Sequence, residues 1–97
     1  MNLETVLWHI KSGLEQEIEA AFFTASEYLC ASRGYRSHRL QRCLEHPNHY
    51  LLLVEWETLE DHTVGFQGSE RYARYRALLK PYYEPDVSLL HYAPVLA

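Results

Sequence analysis

The sequence predicts an α+β fold in which two helices cover one face of a four-stranded antiparallel sheet. Three observations predict it. Period-two and 3.6-period apolar runs follow one another as strand, helix, strand, strand, helix, strand. Capping and turn residues mark the breaks between them, and two strand segments are apolar on both faces. That order is the ferredoxin-like βαββαβ arrangement, a split pair of βαβ units. The chain reads as one domain over 1–97, with no internal repeat and no linker.

Each element has its own signature. Residues 3–10 are rich in β-branched, aromatic and aliphatic types, with Val6, Trp8 and Ile10 on one face and Leu3, Thr5, Leu7 and His9 on the other. Ser12 with Glu15 forms an S-x-x-E capping box that opens a helix. Leu14, Ile18, Ala21, Phe22, Ala25 and Leu29 then make one helical stripe, and Gly34 suits the left-handed residue that ends it. Residues 35–44 contain no breaker and read as an exposed, edge-like strand. The turn 45–49 holds Pro47 and Asn48, and the apolar run 50–56 follows as a strand. Thr58 with Asp61 opens a short helix to about Phe66, and Ser69 with Glu70 starts another to about Leu79. Residues 81–85 form a loop, and 86–95 the closing strand.

Composition narrows the function classes. Thirteen acidic residues against nine basic give a net charge of −4, which argues against a general nucleic-acid or anionic-membrane binder. No apolar run reaches the roughly 18–20 residues of a spanning helix. An acidic residue stands where a signal peptide would carry basic ones, so a cytoplasmic location is expected. Cys30 and Cys43 are expected to be small buried side chains rather than a disulfide or metal site. The pair His46 and His49 sits in a turn with Pro47 and lacks a third ligand, so no metal is expected.

Two helices can cover only one sheet face, yet Tyr50, Leu52 and Val54 oppose Leu51 and Leu53, and Val87 and Leu89 oppose Leu90 and Tyr92. Leaving the second face in water would expose a larger apolar patch than soluble monomers usually tolerate. The expectation is a homodimer through the sheet face, two sheets forming a dimeric α+β barrel.

The stretch from Leu52 through Trp56, Thr58, Asp61 and His62, followed by Gly65-Phe66 and Gly68-Ser69, resembles the antibiotic biosynthesis monooxygenase domain family. Gly34-Tyr35 and Leu90-His91-Tyr92 fit the same pattern. The resemblance implies dimeric α+β barrels whose chemistry varies: cofactor-independent oxygenases of aromatic polyketides, quinol oxidases, haem-degrading enzymes and others without known activity. The haem-degrading branch needs an asparagine, a second tryptophan and an axial histidine where this chain has Val6, Phe66 and Arg76. Arginine does not ligate iron, so no haem or other cofactor is expected.

A cofactor-independent oxygenase lets an electron-rich phenolate reduce dioxygen directly, so the protein supplies an apolar cavity, a base and donors to the oxyanion. The implied ligand is a small aromatic or hydrophobic molecule, a phenol or quinol. His62, near the positive end of a capped helix, is expected to stay neutral and act as base, and His91 is the second candidate. Trp8, Trp56, Phe66, Tyr72 and Tyr75 are candidate cavity walls. His9 and Arg39 are further binding candidates; parity leaves open which sheet face His9 and His91 use, and Arg39 shares a polar row with Ser37 and Gln41. Arg71, Arg74 and Arg76 read as a solvated helix face. Two other readings use the same scaffold: a non-catalytic barrel that binds a hydrophobic molecule, and an isomerase or cyclase. A histidine or arginine projecting into the cavity favours chemistry over binding alone.

Overall fold

In the computed structural model, which describes residues 1–95, the chain runs β1 (Asn2–His9), α1 (Glu15–Cys30), β2 (Tyr35–Arg42) and β3 (His49–Trp56). It continues through a wide π-type turn (Asp61–Phe66), α2 (Glu70–Leu79), a tight helical turn (Lys80–Tyr82) and β4 (Ser88–Tyr92). Residues 96 and 97 of the expected domain lie outside the described residues. All pairings are antiparallel and the strand order is β2-β3-β1-β4, so the ferredoxin-like arrangement holds. β2 is an edge strand, as its mixed sequence predicts. No helix among the described residues is long and apolar enough to cross a membrane.

Alternation sorts the side chains between the two sheet faces. β1 buries Glu4, Val6 and Trp8, and β3 buries Tyr50, Leu52, Val54 and Trp56. Against them α1 packs Ile18, Phe22, Ala25 and Leu29, and α2 packs Tyr75 and Leu79. The opposite face carries Leu3, Leu7, Leu51 and Leu53, half-buried, with Leu90 and Tyr92 52% and 50% exposed.

Three local expectations fail, the first being the closing strand, which spans Ser88–Tyr92 and not 86–95. Ser12 does not cap α1, which starts at Glu15 behind Leu14 with no side-chain cap. Gly13 turns the chain at φ 87°, carrying Ser12 away from the helix end, and Glu15 Oε2 accepts the Gly13 N–H at 3.3 Å. Cys30 is exposed and Cys43 half-buried, because Cys30 falls beside the buried stripe of α1, one residue past Leu29.

The other caps form. Thr58 Oγ1 accepts the Asp61 N–H at 3.1 Å, and Asp61 Oδ2 accepts the Thr58 N–H at 3.2 Å. Ser69 Oγ accepts the Tyr72 N–H at 3.2 Å and opens α2. The intervening turn is wider than an α-helix, with the Gln67 N–H bonding the His62 carbonyl five residues back at 2.9 Å. Gly34, at φ 82°, lies directly under Asp61, where a Cβ would collide with the Asp61 carboxylate; its carbonyl accepts the Glu57 N–H at 2.8 Å. This contact seats the turn that carries His62 against the end of β3.

Candidate functional site

Glu4 shares the parity of Val6 and Trp8, so it points into the helix–sheet layer and is only 5% exposed. A carboxyl buried this deeply needs partners. Trp56, at the end of β3, donates its indole Nε1–H to Glu4 Oε1 at 2.9 Å. From the π-type turn, His62 Nε2 lies 3.3 Å from Glu4 Oε2, and its ring stacks on Trp56 at 5.3 Å between centroids. His62 Nδ1 in turn meets His91 Nε2, on β4, at 2.8 Å. Four residues from four elements thus form one chain, Trp56–Glu4–His62–His91, running from the core to the half-exposed His91.

Burial dominates the protonation of this chain. It raises Glu4 to about 7 from 4.5, with the Trp56 hydrogen bond pulling the other way. It lowers His62 to about 4 from 6.5, reinforced by the neighbouring His91. Between these values both groups are neutral, and their contact is a neutral pair rather than an ion pair. The expectation of a neutral His62 therefore holds for a different reason: desolvation and His91 keep it neutral, and the group poised near neutrality is Glu4.

Glu4 and His62 open onto a cavity of about 60 Å³ between β1 and α2. Val6 and Trp8 line it from β1, Phe66 from the π-type turn, and Tyr72, Tyr75 and Arg76 from α2. Tyr83 closes one side, stacked on Trp8 at 5.7 Å and 9°. Phe66 stands edge-on to both Tyr72 and Tyr75, at 5.4 and 5.2 Å. The Tyr75 hydroxyl is pushed well above its usual range by burial and then by the Glu4 charge, which leaves it a hydrogen-bond donor at neutral pH. The cavity has room for a few waters, far below the roughly 300–1,000 Å³ of sites for drug-sized ligands. A ring the size of a phenol, which needs a cavity of about 150 Å³, enters only as side chains on the α2 side move aside.

Of the residues the sequence singles out, His62, Trp8, Phe66, Tyr72 and Tyr75 line this cavity. Trp56 stands behind the wall and acts through Glu4 and His62. His91 faces the helix side of the sheet and reaches the cavity through His62. His9 and Arg39 lie elsewhere. His9 is on the opposite sheet face, bonded to Asp86 at 2.8 Å and stacked on His49 at 4.2 Å. Arg39, exposed on the same face, borders a shallow hollow with Leu3, Glu55 and Tyr92. The strand period that aims Glu4 and Trp8 inward aims these two outward. Arg76 is exposed, as expected of a solvated helix face, and also borders the mouth of the cavity. Sequence reasoning missed Glu4 and Arg76. An acid in register with Val6 and Trp8 was the available signal for Glu4. Among the described residues no three histidines, cysteines or carboxylates are arranged to hold a metal ion.

The sequence profile of the family described as antibiotic biosynthesis monooxygenase matches residues 1–78. The uncharacterized protein YczJ of Bacillus subtilis (strain 168) is 49% identical over 92 residues, covering 95% of this chain and 97% of that protein. Among solved structures, a Bordetella bronchiseptica protein provisionally designated an antibiotic biosynthesis monooxygenase matches with TM-score 0.93 at 28% identity, over 98% of this chain and 97% of that one. SnoaB, a cofactor-independent oxygenase from Streptomyces nogalater, matches with TM-score 0.85 at 12% identity, over 99% of this chain and 94% of that one. At that identity the likeness concerns the fold alone.

Proposed function

The chain belongs to the antibiotic biosynthesis monooxygenase family, and on that footing we propose that it is a cofactor-independent monooxygenase of a small phenol or quinol. The observation that carries the reading is Glu4, a carboxyl held near neutral pH in the wall of an aromatic cavity. As carboxylate, Glu4 takes the phenolic proton. The resulting phenolate passes an electron to dioxygen, the two radicals combine to form a carbon–oxygen bond, and loss of water completes the change. A hydroquinone and one dioxygen thus give a hydroxyquinone and one water. Phe66, Tyr75 and Trp8 hold the ring and exclude water, which keeps the phenolate electron-rich.

His62 and His91 serve Glu4 as positioning and proton-transfer residues. With Glu4 protonated, His62 Nε2 faces its proton while Nδ1 bonds His91. Passing the proton to Nε2 and releasing the other from Nδ1 delivers it to the half-exposed His91 and resets the base. The reading with binding alone would suit a purely apolar wall, and Glu4, His62 and Arg76 in the lining favour chemistry. The open sheet face, with Leu51, Leu53, Leu90 and Tyr92, supports a homodimer of the 1–97 domain closed as an α+β barrel.

The test is oxygen uptake by pure protein with a panel of small quinols, metal chelator present. Uptake of one dioxygen per quinol is expected, with kcat/KM rising through a pH of about 7 as Glu4 ionises. Glu4→Gln should lose that activity by a factor of about 10²–10⁴. Absence of uptake by the wild-type protein across the panel would refute the proposal.

A further inference from the structure

A second hollow, of about 420 Å³, adjoins the cavity and shares Tyr72, Arg76, Tyr83 and Val87 with it. Its remaining walls include Lys11, from the loop after β1, and Lys80, from the turn after α2. Three of the nine cations of a chain with net charge −4 therefore ring one small entrance. Among the described residues, no carboxylate lines it. The adjacent loop carries Glu84 and Asp86, but neither faces the hollow, and Asp86 is bonded to His9 at 2.8 Å. Among the described residues, the ion pairs involve His9, Arg36, His62 and Arg74, so Lys11, Arg76 and Lys80 are left without an acidic partner.

The rim is pinned rather than floppy. The Lys11 N–H donates to the Tyr82 carbonyl at 2.8 Å, tying the Lys11 loop to the turn that starts at Lys80. Ile10 pairs with Tyr83 across the same gap. Arg76 borders both hollows and so stands at the neck between them. Three like charges around a concavity repel one another and focus a positive potential into it, an arrangement that an incoming anion relieves. The guanidinium adds a forked donor matched to carboxylate or phosphate oxygens.

We propose that the ligand is a small phenol or quinol bearing an oxyanion, with its ring in the cavity beside Glu4 and its carboxylate or phosphate in the entrance under Lys11, Arg76 and Lys80. The phenol part rests on the function proposed above; the anion part rests on the entrance alone. The two hollows adjoin at Tyr72, Arg76, Tyr83 and Val87, so a ring admitted beside Glu4 as the α2 side moves aside leaves its charged group in the wider cationic space.

The test compares hydroquinone, dihydroxybenzoate and hydroquinone monophosphate by anaerobic calorimetry, with NMR signals of His62 and Trp8 as reporters of ring placement. At least one of the anionic pair should bind about tenfold or more tightly than hydroquinone, and their ranking separates carboxylate from phosphate. Most of the advantage should be lost in Lys11→Gln/Lys80→Gln, both exposed positions outside the ring cavity, with hydroquinone affinity unchanged. It should also shrink as ionic strength rises from about 0.01 M to about 1 M, which shortens the screening length from about 30 Å to about 3 Å. Equal affinities, or an advantage that survives the double variant, would overturn the proposal. Anion binding that leaves His62 and Trp8 unmoved would keep the entrance as an anion site but refute the ring placement. Failure of all three compounds to bind would refute both.

Discussion

Glu4→Gln tests the protonation of the buried pair without touching its packing. Glutamine keeps an oxygen for the Trp56 N–H and presents an amide N–H toward His62, so it imitates the protonated acid. Glu4 titrates at about 7 in the folded chain against 4.5 ordinarily, so its favourable contribution is complete below pH 4.5 and is lost as pH rises through about 7. That loss is about 3 kcal/mol at 1.36 kcal/mol for each unit. His62 has the opposite sign. Lowered from 6.5 to about 4, it contributes stability above pH 6.5 that is lost as pH falls through about 4, again about 3 kcal/mol. Between pH 4.5 and 6.5 the two slopes nearly cancel in the wild-type protein. The variant loses the Glu4 slope and keeps that of His62. Its stability relative to wild type should therefore grow by about 3 kcal/mol between pH 4.5 and pH 8, on the order of 10 °C or more in Tm for a domain of this size. Urea unfolding of both proteins across this range, at one protein concentration, measures the difference. A difference that stays constant with pH would mean that Glu4 is already ionised in the folded protein at acid pH, and the case for a base poised near neutrality would fail.

Three further outcomes follow from the geometry. Trp56→Phe keeps the ring but removes the N–H that favours the Glu4 carboxylate, so Glu4 should titrate higher than about 7, by roughly one unit, in carboxyl NMR or the pH–rate profile. Gly34→Ala forces a side chain into left-handed backbone and into the Asp61 carboxylate, and should cost at least about 2 kcal/mol in urea unfolding. Leu53→Asp, on the open sheet face, should abolish the dimer and the folded state together; sedimentation at low micromolar concentration and far-UV circular dichroism check this, and a stable folded monomer of the wild-type chain would refute the two-faced-strand argument.

The fold was legible because its signals are local and repeat. The two-sided run through β3, the stripe of α1, and the caps at Thr58 and Ser69 each act over a few residues, and the two caps fix where the turn after β3 and α2 begin. Ser12 misled because Gly13 follows it, and a left-handed glycine outranks a capping serine in setting where a helix begins. The site was legible only in part. Aromatic residues near the family-like segment line the cavity, but the carboxyl raised to about 7 belongs to a glutamate at the start of β1, and its importance comes from burial among residues distant in sequence. A carboxylate at the fourth position reads as ordinary polarity until the strand period is applied to it. Then it falls in line with Val6 and Trp8.

The segment that carries the family likeness acquires a physical role through this glutamate. Trp56 ends β3 opposite the start of β1, in register with Asn2, so its indole can reach across the sheet to the neighbouring Glu4. The capped turn after it places His62 over the same indole, held from below by Gly34 and Asp61. Trp56, Gly34 and Asp61 do not line the cavity, and removing any one of them would move Glu4 or His62, which do. A base on a central strand is also better fixed than one on the turn. The β1 backbone is paired on both sides, by β3 and β4, whereas the turn is anchored mainly at its ends. For the proposed reaction, the arrangement puts Glu4, the proposed base, on the sheet, and leaves His62 and His91, the imidazoles proposed to carry its proton, to the turn and to β4.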